Sequence, residues 1–222
     1  MEQRRDSATA YIILADGFET IEALTPLDVL RRCGVEVTTI SLNKTRAVRS
    51  SHGVTVEADA TMEDFMHNCN CCASGTGTGT NSSIAGSSTS ASSSSTTASS
   101  AVRQALILPG GYPGYKNLCE SPEVGALITQ FYKEGKLLCA ICGAPTALKA
   151  NQICRGAAIT CHTSVKEELS DYYSILSSAV VKYMNIITGM GAGRSLEFAF
   201  AIAEALTSKE KIEEIKAKME II

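Results

Sequence analysis

The segment "LLCAICGAPTAL" (137–148) breaks an apolar run with a cysteine, a glycine and a proline before it turns helical. A strand followed at once by a helix presents the corner residue on a tight turn at the sheet's C-terminal rim, facing the helix's free N–H groups. Cys142 occupies that corner. The placement predicts a thiolate stabilised by the positive end of the helix and open to close approach, because Gly143 and Ala144 are small. Cysteine is more often a small core side chain, and Cys139, three positions earlier in the strand, is assigned that role. An extended strand holds the two sulfurs about 10 Å apart, beyond disulfide reach.

A nucleophile needs a partner that takes and returns its proton. The first strand ends at Asp16, and Glu19 and Glu22 follow one helical step apart on the same rim, so that one of them could reach the thiol. Either acid alone would read as a solvated group in a helix's first turn. "LPGGYPG" (108–114) ends another strand there, and Gly110 and Gly111 leave backbone N–H groups for a developing oxyanion. "ITCHT" brings His162 to the same rim at the end of a further strand.

These groups need a sheet to converge. Short apolar runs alternate with amphipathic stretches, as in successive strand and helix units of a mostly parallel sheet. "AYIILAD" (10–16), "VEVTTISL" (35–42), "QALILPGG" (104–111), "KLLCAI" (136–141) and "AAITC" (157–161) read as its strands, "GVTVEAD" as a hairpin arm or edge strand, and "AVVKYMNIIT" (179–188) as a closing hairpin. The first helix carries Ile21, Leu24, Leu27 and Leu30 at helical spacing and stops at Gly34, with Pro26 either kinking it or restarting it behind Thr25. Ser121, Pro122 and Gly135 bracket a second helix. "SLEFAFAIAEAL" (195–206) and "SKEKIEEIKAKMEII" close the chain as two more.

At 222 residues and 45% hydrophobic, the chain has the length of one domain, 1–222. A net charge of −3 offers no positive field, so nucleic acid is not expected as a partner. No stretch is long enough for a signal peptide or a membrane span. Nine cysteines without framework spacing read as reduced thiols, which places the protein in the cytoplasm. From Ala73 to Ala101 only Asn81 and Ile84 fall outside Ser, Thr, Gly and Ala, so an insert over about 68–101 is expected to be disordered. It enters the strand at 104 from the N-terminal edge of the sheet and should not gate the site. "HNCNCC" (67–72) matches no defensible zinc spacing and reads as exposed thiols, and no metal is expected.

Taken together, "ILADGFETIEALTPLDVLRRCGVEVTTISL", "LILPGGYPGYKNL", "AICGAPTAL", "ITCH" and "GAGRSLEFAFAIAEAL" resemble the ThiJ/PfpI superfamily, in the DJ-one branch of Parkinsonism-associated deglycases and glutathione-independent glyoxalases. The likeness covers residues 9 to about 67 and 102 to about 207. It implies a flavodoxin-like three-layer sandwich and a homodimer packed partly through the first helix. It also implies Cys142 as nucleophilic and oxidisable cysteine, Glu22 as the carboxyl beside it, Gly110 and Gly111 as a backbone-amide pocket, and Gly143 as a further amide donor. His162 would be the nearby imidazole and Glu19 a supporting acid behind Glu22.

The activity so implied is conversion of 2-oxoaldehydes such as methylglyoxal and glyoxal to 2-hydroxy acids without glutathione, extending to early glycation adducts. The alternative is an oxidative-stress sensor or redox chaperone acting through Cys142. No cofactor is called for, since "GMGAG" lacks the last glycine of the dinucleotide fingerprint and there is no P-loop lysine. Three positions depart from the branch: Gly143 stands where alanine is usual, Thr163 where proline commonly follows the histidine, and Met190 where relatives often carry arginine. Peptidase-like members place histidine directly after the cysteine, so Gly143 disfavours proteolysis. A class I glutamine amidotransferase is disfavoured as well, because "CHTSVKEE" lacks its His-x-Glu pair.

Overall fold

A computed structural model describes residues 8–68 and 103–221. The chain opens with β1 (Thr9–Leu14), α1 (Thr20–Arg32), β2 (Glu36–Ser41), the β3 (Ala47–Arg49) and β4 (Thr55–Glu57) hairpin, β5 (Ala60–Thr61) and α2 (Met62–Asn68). It resumes with β6 (Gln104–Leu108), α3 (Gly114–Glu120), α4 (Pro122–Lys133), β7 (Leu137–Ile141), α5 (Pro145–Ala150) and β8 (Ala158–Ile159). α6 (Lys166–Leu169), β9 (Ser174–Ile175), β10 (Val180–Tyr183), β11 (Ile186–Gly189), α7 (Ser195–Leu206) and α8 (Lys209–Lys218) complete it.

Seven strands form the main sheet in the order β10-β11-β7-β6-β1-β2-β5. All neighbours are parallel except the β10–β11 hairpin, whose partners include Val181 opposite Thr188. The central strands are covered on both faces, which is why they read as unbroken apolar runs. Alternate side chains enter opposite layers. Ile12, Leu14, Ile107 and Ile141 pack with Leu30 of α1, Phe198 and Ile202 of α7 and Ile212 of α8. Ile13, Leu106, Leu108 and Leu138 pack with Leu127, Ile128 and Phe131 of α4 and Leu148 of α5. The result is the flavodoxin-like three-layer sandwich that the resemblance implies.

Local signals explain most boundaries. Ser121 caps α4 by accepting the Val124 N–H at 3.2 Å, Pro122 fills the first turn, and Gly34 and Gly135 end their helices at φ 79° and 68°. α1 runs without a break through Pro26, so of the two alternatives the restart behind Thr25 does not occur. Glu19 caps this helix instead, accepting the Glu22 N–H at 2.9 Å.

Two further expectations are corrected. "AAITC" does not extend the main sheet: β8 pairs with β9 in a separate two-stranded ribbon, and His162 caps a 3-10 turn at 163–165 rather than ending a strand. Thr160 is nevertheless tied to the sheet, its N–H donating to Thr188 Oγ1 at 2.9 Å. "GYPGYKNLCE" also holds a helix, α3, in a stretch to which the sequence assigned no element. The Ser/Thr-rich segment and the cysteines of "HNCNCC" lie outside the described residues.

Candidate active site

β7 is apolar throughout and ends in a corner at Cys142, whose φ of 65° is a left-handed conformation. For a non-glycine residue this costs about 1–3 kcal/mol and persists only where surrounding bonds hold it. Two do: the Cys142 N–H donates to Gly189 O at 3.0 Å, and its carbonyl accepts the His162 N–H at 2.9 Å. The strained corner turns the half-buried thiol into a cavity of about 630 Å³. Cys139 is sealed in the core, with its thiol pushed up by burial, as suits a packing residue.

Glu22 reaches the thiol from α1. It has 0% exposure, and its Oε2 accepts the Gly110 N–H at 2.8 Å. Oε1 is buried without an N–H or O–H partner, and the carboxyl's side-chain neighbour is the Cys142 thiol. Burial pushes Glu22 up to about 7, against the pull of the thiol and the Gly110 amide. Close packing fixes the pair. A Cβ on Gly110 would stand 2.7 Å from both Cys142 Cβ and Glu22 Oε2, so only glycine lets this strand end pass between them.

The ionised sulfur expected from the sequence needs correction. Burial, then the Glu22 charge, push the Cys142 thiol up to about 12, while the Gly111 and Gly143 N–H groups that donate to the sulfur act the other way. The helix offers little. α5 begins only at Pro145, spans six residues, and its first N–H groups are engaged, Thr146 with Gly143 O at 3.2 Å and Ala147 with Ala144 O at 2.9 Å. Sulfur and carboxyl therefore compete for a proton as a coupled pair, and the amides stabilise whichever state puts charge on sulfur.

The amide donors also sort differently from the expected Gly110 and Gly111 pocket. Gly110 gives its N–H to Glu22, whereas Gly111 and Gly143 face the sulfur. Glu19 does not reach the thiol. Its Oε2 holds the start of α1, and its Oε1 lies 3.9 Å from His52 Nδ1. His162 is exposed on the cavity wall and turns Nδ1 toward Ser164, 2.8 Å from its Oγ and 3.2 Å from its N–H, which leaves Nε2 for a ligand.

Tyr112, His52 and Arg194 join the cavity lining without having been singled out in the sequence. Tyr112 and Arg194 directly follow the "PGG" and "GMGAG" motifs, and that adjacency was the one available signal. Arg194 restores a cation beside Met190, although Glu197 pairs with it at 3.0 Å. A groove of about 690 Å³ along α3 and α4 carries none of the reacting groups. Among the described residues no cluster of three or more His, Cys, Asp or Glu side chains could hold a metal, and no helix is long and apolar enough to cross a membrane.

A parallel α/β sandwich with a strained cysteine after its central strand, backed by an acid from the first helix, defines a class of elbow-cysteine proteins. Within that class the chain belongs to the DJ-1/PfpI family, whose pattern matches residues 8–205. It is 33% identical to Protein dj-1beta of Drosophila melanogaster over 94% of this chain and 95% of that one. It is 31% identical to the Parkinson disease protein 7 homolog of Danio rerio, over 95% of each. A glutathione-independent glyoxalase, DJR-1.2 of Caenorhabditis elegans, is 40% identical over 48% of this chain and 56% of its own length. The crystal structure of Drosophila DJ-1beta superposes with a TM-score of 0.79, covering 97% of this chain and 99% of that one.

Proposed function

We propose that the protein is a cysteine-dependent enzyme that converts 2-oxoaldehydes such as methylglyoxal and glyoxal to 2-hydroxy acids without glutathione. The observation that carries this reading is the sealed Glu22 carboxyl beside Cys142, held up to about 7 where it can both take and return a proton near neutral pH. In the first step Glu22 takes the thiol proton as sulfur adds to the aldehyde carbon and hands it to the carbonyl oxygen, which completes a hemithioacetal and leaves the carboxylate free to act again. Glu22 then removes the hydrogen on that carbon, giving an enediol, and a proton returns to the neighbouring carbon. The first carbon is thereby oxidised to a thioester and the second reduced to an alcohol, so no outside oxidant or reductant is needed. Water hydrolyses the thioester, releasing the 2-hydroxy acid and the free thiol. His162, on the cavity wall with Nδ1 engaged by Ser164, assists proton transfer at the second oxygen. The name of the Caenorhabditis relative supports this chemistry, and early glycation adducts that regenerate the same carbonyl fall within its reach.

The test is methylglyoxal turnover in the absence of glutathione. Wild type should form lactate, and Cys142→Ser and Glu22→Gln should form none above background; wild type without lactate overturns the reading. The second reading, a redox sensor, is favoured by the half-buried sulfur facing two backbone N–H groups that would hold an oxidised oxygen. Peroxide oxidation confined to Cys142 in mass spectra, in a protein inert toward aldehydes, selects it. In either role we infer a homodimer packed partly through α1, where Ile21 is 48% exposed.

A further inference from the structure

Gly143 has no side chain, yet the place for one is filled. A Cβ there would lie 2.7, 2.8 and 2.9 Å from Cδ1, Cγ and Cε1 of the Tyr115 ring, closer than packed carbons stand. The alanine usual at this position in the DJ-one branch and a tyrosine at 115 in this pose therefore exclude one another. Tyr115 also touches the other amide donor, since its N–H donates to Gly111 O at 2.9 Å. One residue thus contacts both peptide segments whose N–H groups face the sulfur, Gly111 through its backbone and Gly143 through its ring. Neighbours restrain both parts. Thr146 Oγ1 donates to Gly143 O at 2.7 Å, Lys116 Nζ stands 5.3 Å from the centre of the Tyr115 ring, and the Tyr112 ring lies 6.3 Å away. Tyr115 does not line the cavity, so whatever it contributes passes through these contacts.

We propose that Tyr115 is a positioning residue whose ring, seated in the space a side chain at 143 would take, aims the Gly143 N–H group at the Cys142 sulfur. The consequence for catalysis rests on the reading of Cys142 as the reacting group. A ring in place of a methyl is then a matched exchange, in which glycine at 143 is required by tyrosine at 115.

Four variants test it: Gly143→Ala, Tyr115→Ala, the two combined, and Tyr115→Phe. Three quantities are measured: kcat and KM with methylglyoxal, the alkylation rate of Cys142 by iodoacetamide followed by mass spectrometry, and thermal unfolding. Displacing a donor by a fraction of an ångström should lower kcat of Gly143→Ala by about tenfold or more while KM changes less, and slow alkylation of Cys142 in parallel. Tyr115→Ala should lose several-fold in both, and Tyr115→Phe, which keeps the ring, should stay within about twofold of wild type. The double variant should recover to within about threefold of wild type, because the new methyl fills the space the ring has left. A double variant as slow as Gly143→Ala, or a Gly143→Ala protein indistinguishable from wild type, overturns the proposal, and a single variant that fails to fold leaves the double variant and Tyr115→Phe to decide. If wild type turns over no aldehyde, the proposed activity falls while the alkylation series still judges the role of Tyr115.

Discussion

A carboxyl with no solvent exposure is costly to ionise, and Glu22 carries that cost beside a thiol. Its acid form is favoured in the folded chain, with the proton held up to about 7 against an ordinary value of 4.5. The sign of the consequence follows from proton linkage. Between those values the folded state binds the proton more tightly than the unfolded state, so Glu22 lowers stability as pH rises through that window. The full loss, on the order of 3 kcal/mol, is present above pH 7 and absent below the unfolded value. Glu22→Gln keeps an oxygen for the Gly110 N–H and removes the titration. Its melting temperature should therefore exceed that of wild type at pH 8 and converge with it near pH 4, as scanning calorimetry would show; an equal difference at both values would mean that burial is not what raises this carboxyl.

At the scale of elements, the site is an agreement between three strand ends and one helix start. Gly110 leaves β6 between Cys142 and Glu22, and a methyl there would meet both at 2.7 Å. Gly110→Ala should fold, since the overlap is confined to the rim, but lose about a hundredfold or more in kcat as the pair is forced apart; steady-state kinetics that match wild type would show the spacing to be irrelevant. Much of this arrangement was legible beforehand. The apolar run of β7 and the Cys-Gly-Ala-Pro break announced the corner at Cys142, and the Ser121-Pro122 pair announced α4. What stayed hidden has physical reasons. Residue type does not reveal which of two adjacent glycines spends its N–H on a carboxylate, and Gly110 and Gly111 differ in that respect. An apolar run such as "AAITC" reads alike whether its hydrogen bonds go to the main sheet or to β9. The ionised sulfur was anticipated from a helix start, but Pro145 and the engaged first turn of α5 withdraw that field, and burial dominates. Nothing in one sequence marks Tyr115 as the occupant of the space beside Gly143.

Across the whole molecule, the fold is the part most widely shared: the Drosophila DJ-1beta structure superposes over 97% of this chain at 31% identity. The surface that would join two copies is narrower ground. Ile21 lies on α1 between Glu19 and Glu22 in sequence and is half exposed in the single chain, so a partner over α1 would lie close to the cavity. Ile21→Lys should shift the protein from dimer to monomer in sedimentation velocity, and a wild-type monomer would remove the interface. The carboxyl beside the sulfur remains the centre of the account, and the pH dependence of glutathione-free lactate formation reads it most directly. The account predicts that kcat/KM for wild type rises with pH through an inflection near 7, as Glu22 loses its proton and becomes able to act as base. An inflection in the ordinary carboxylate range near pH 4 to 5, or lactate formation by Glu22→Gln at the wild-type rate, would contradict it.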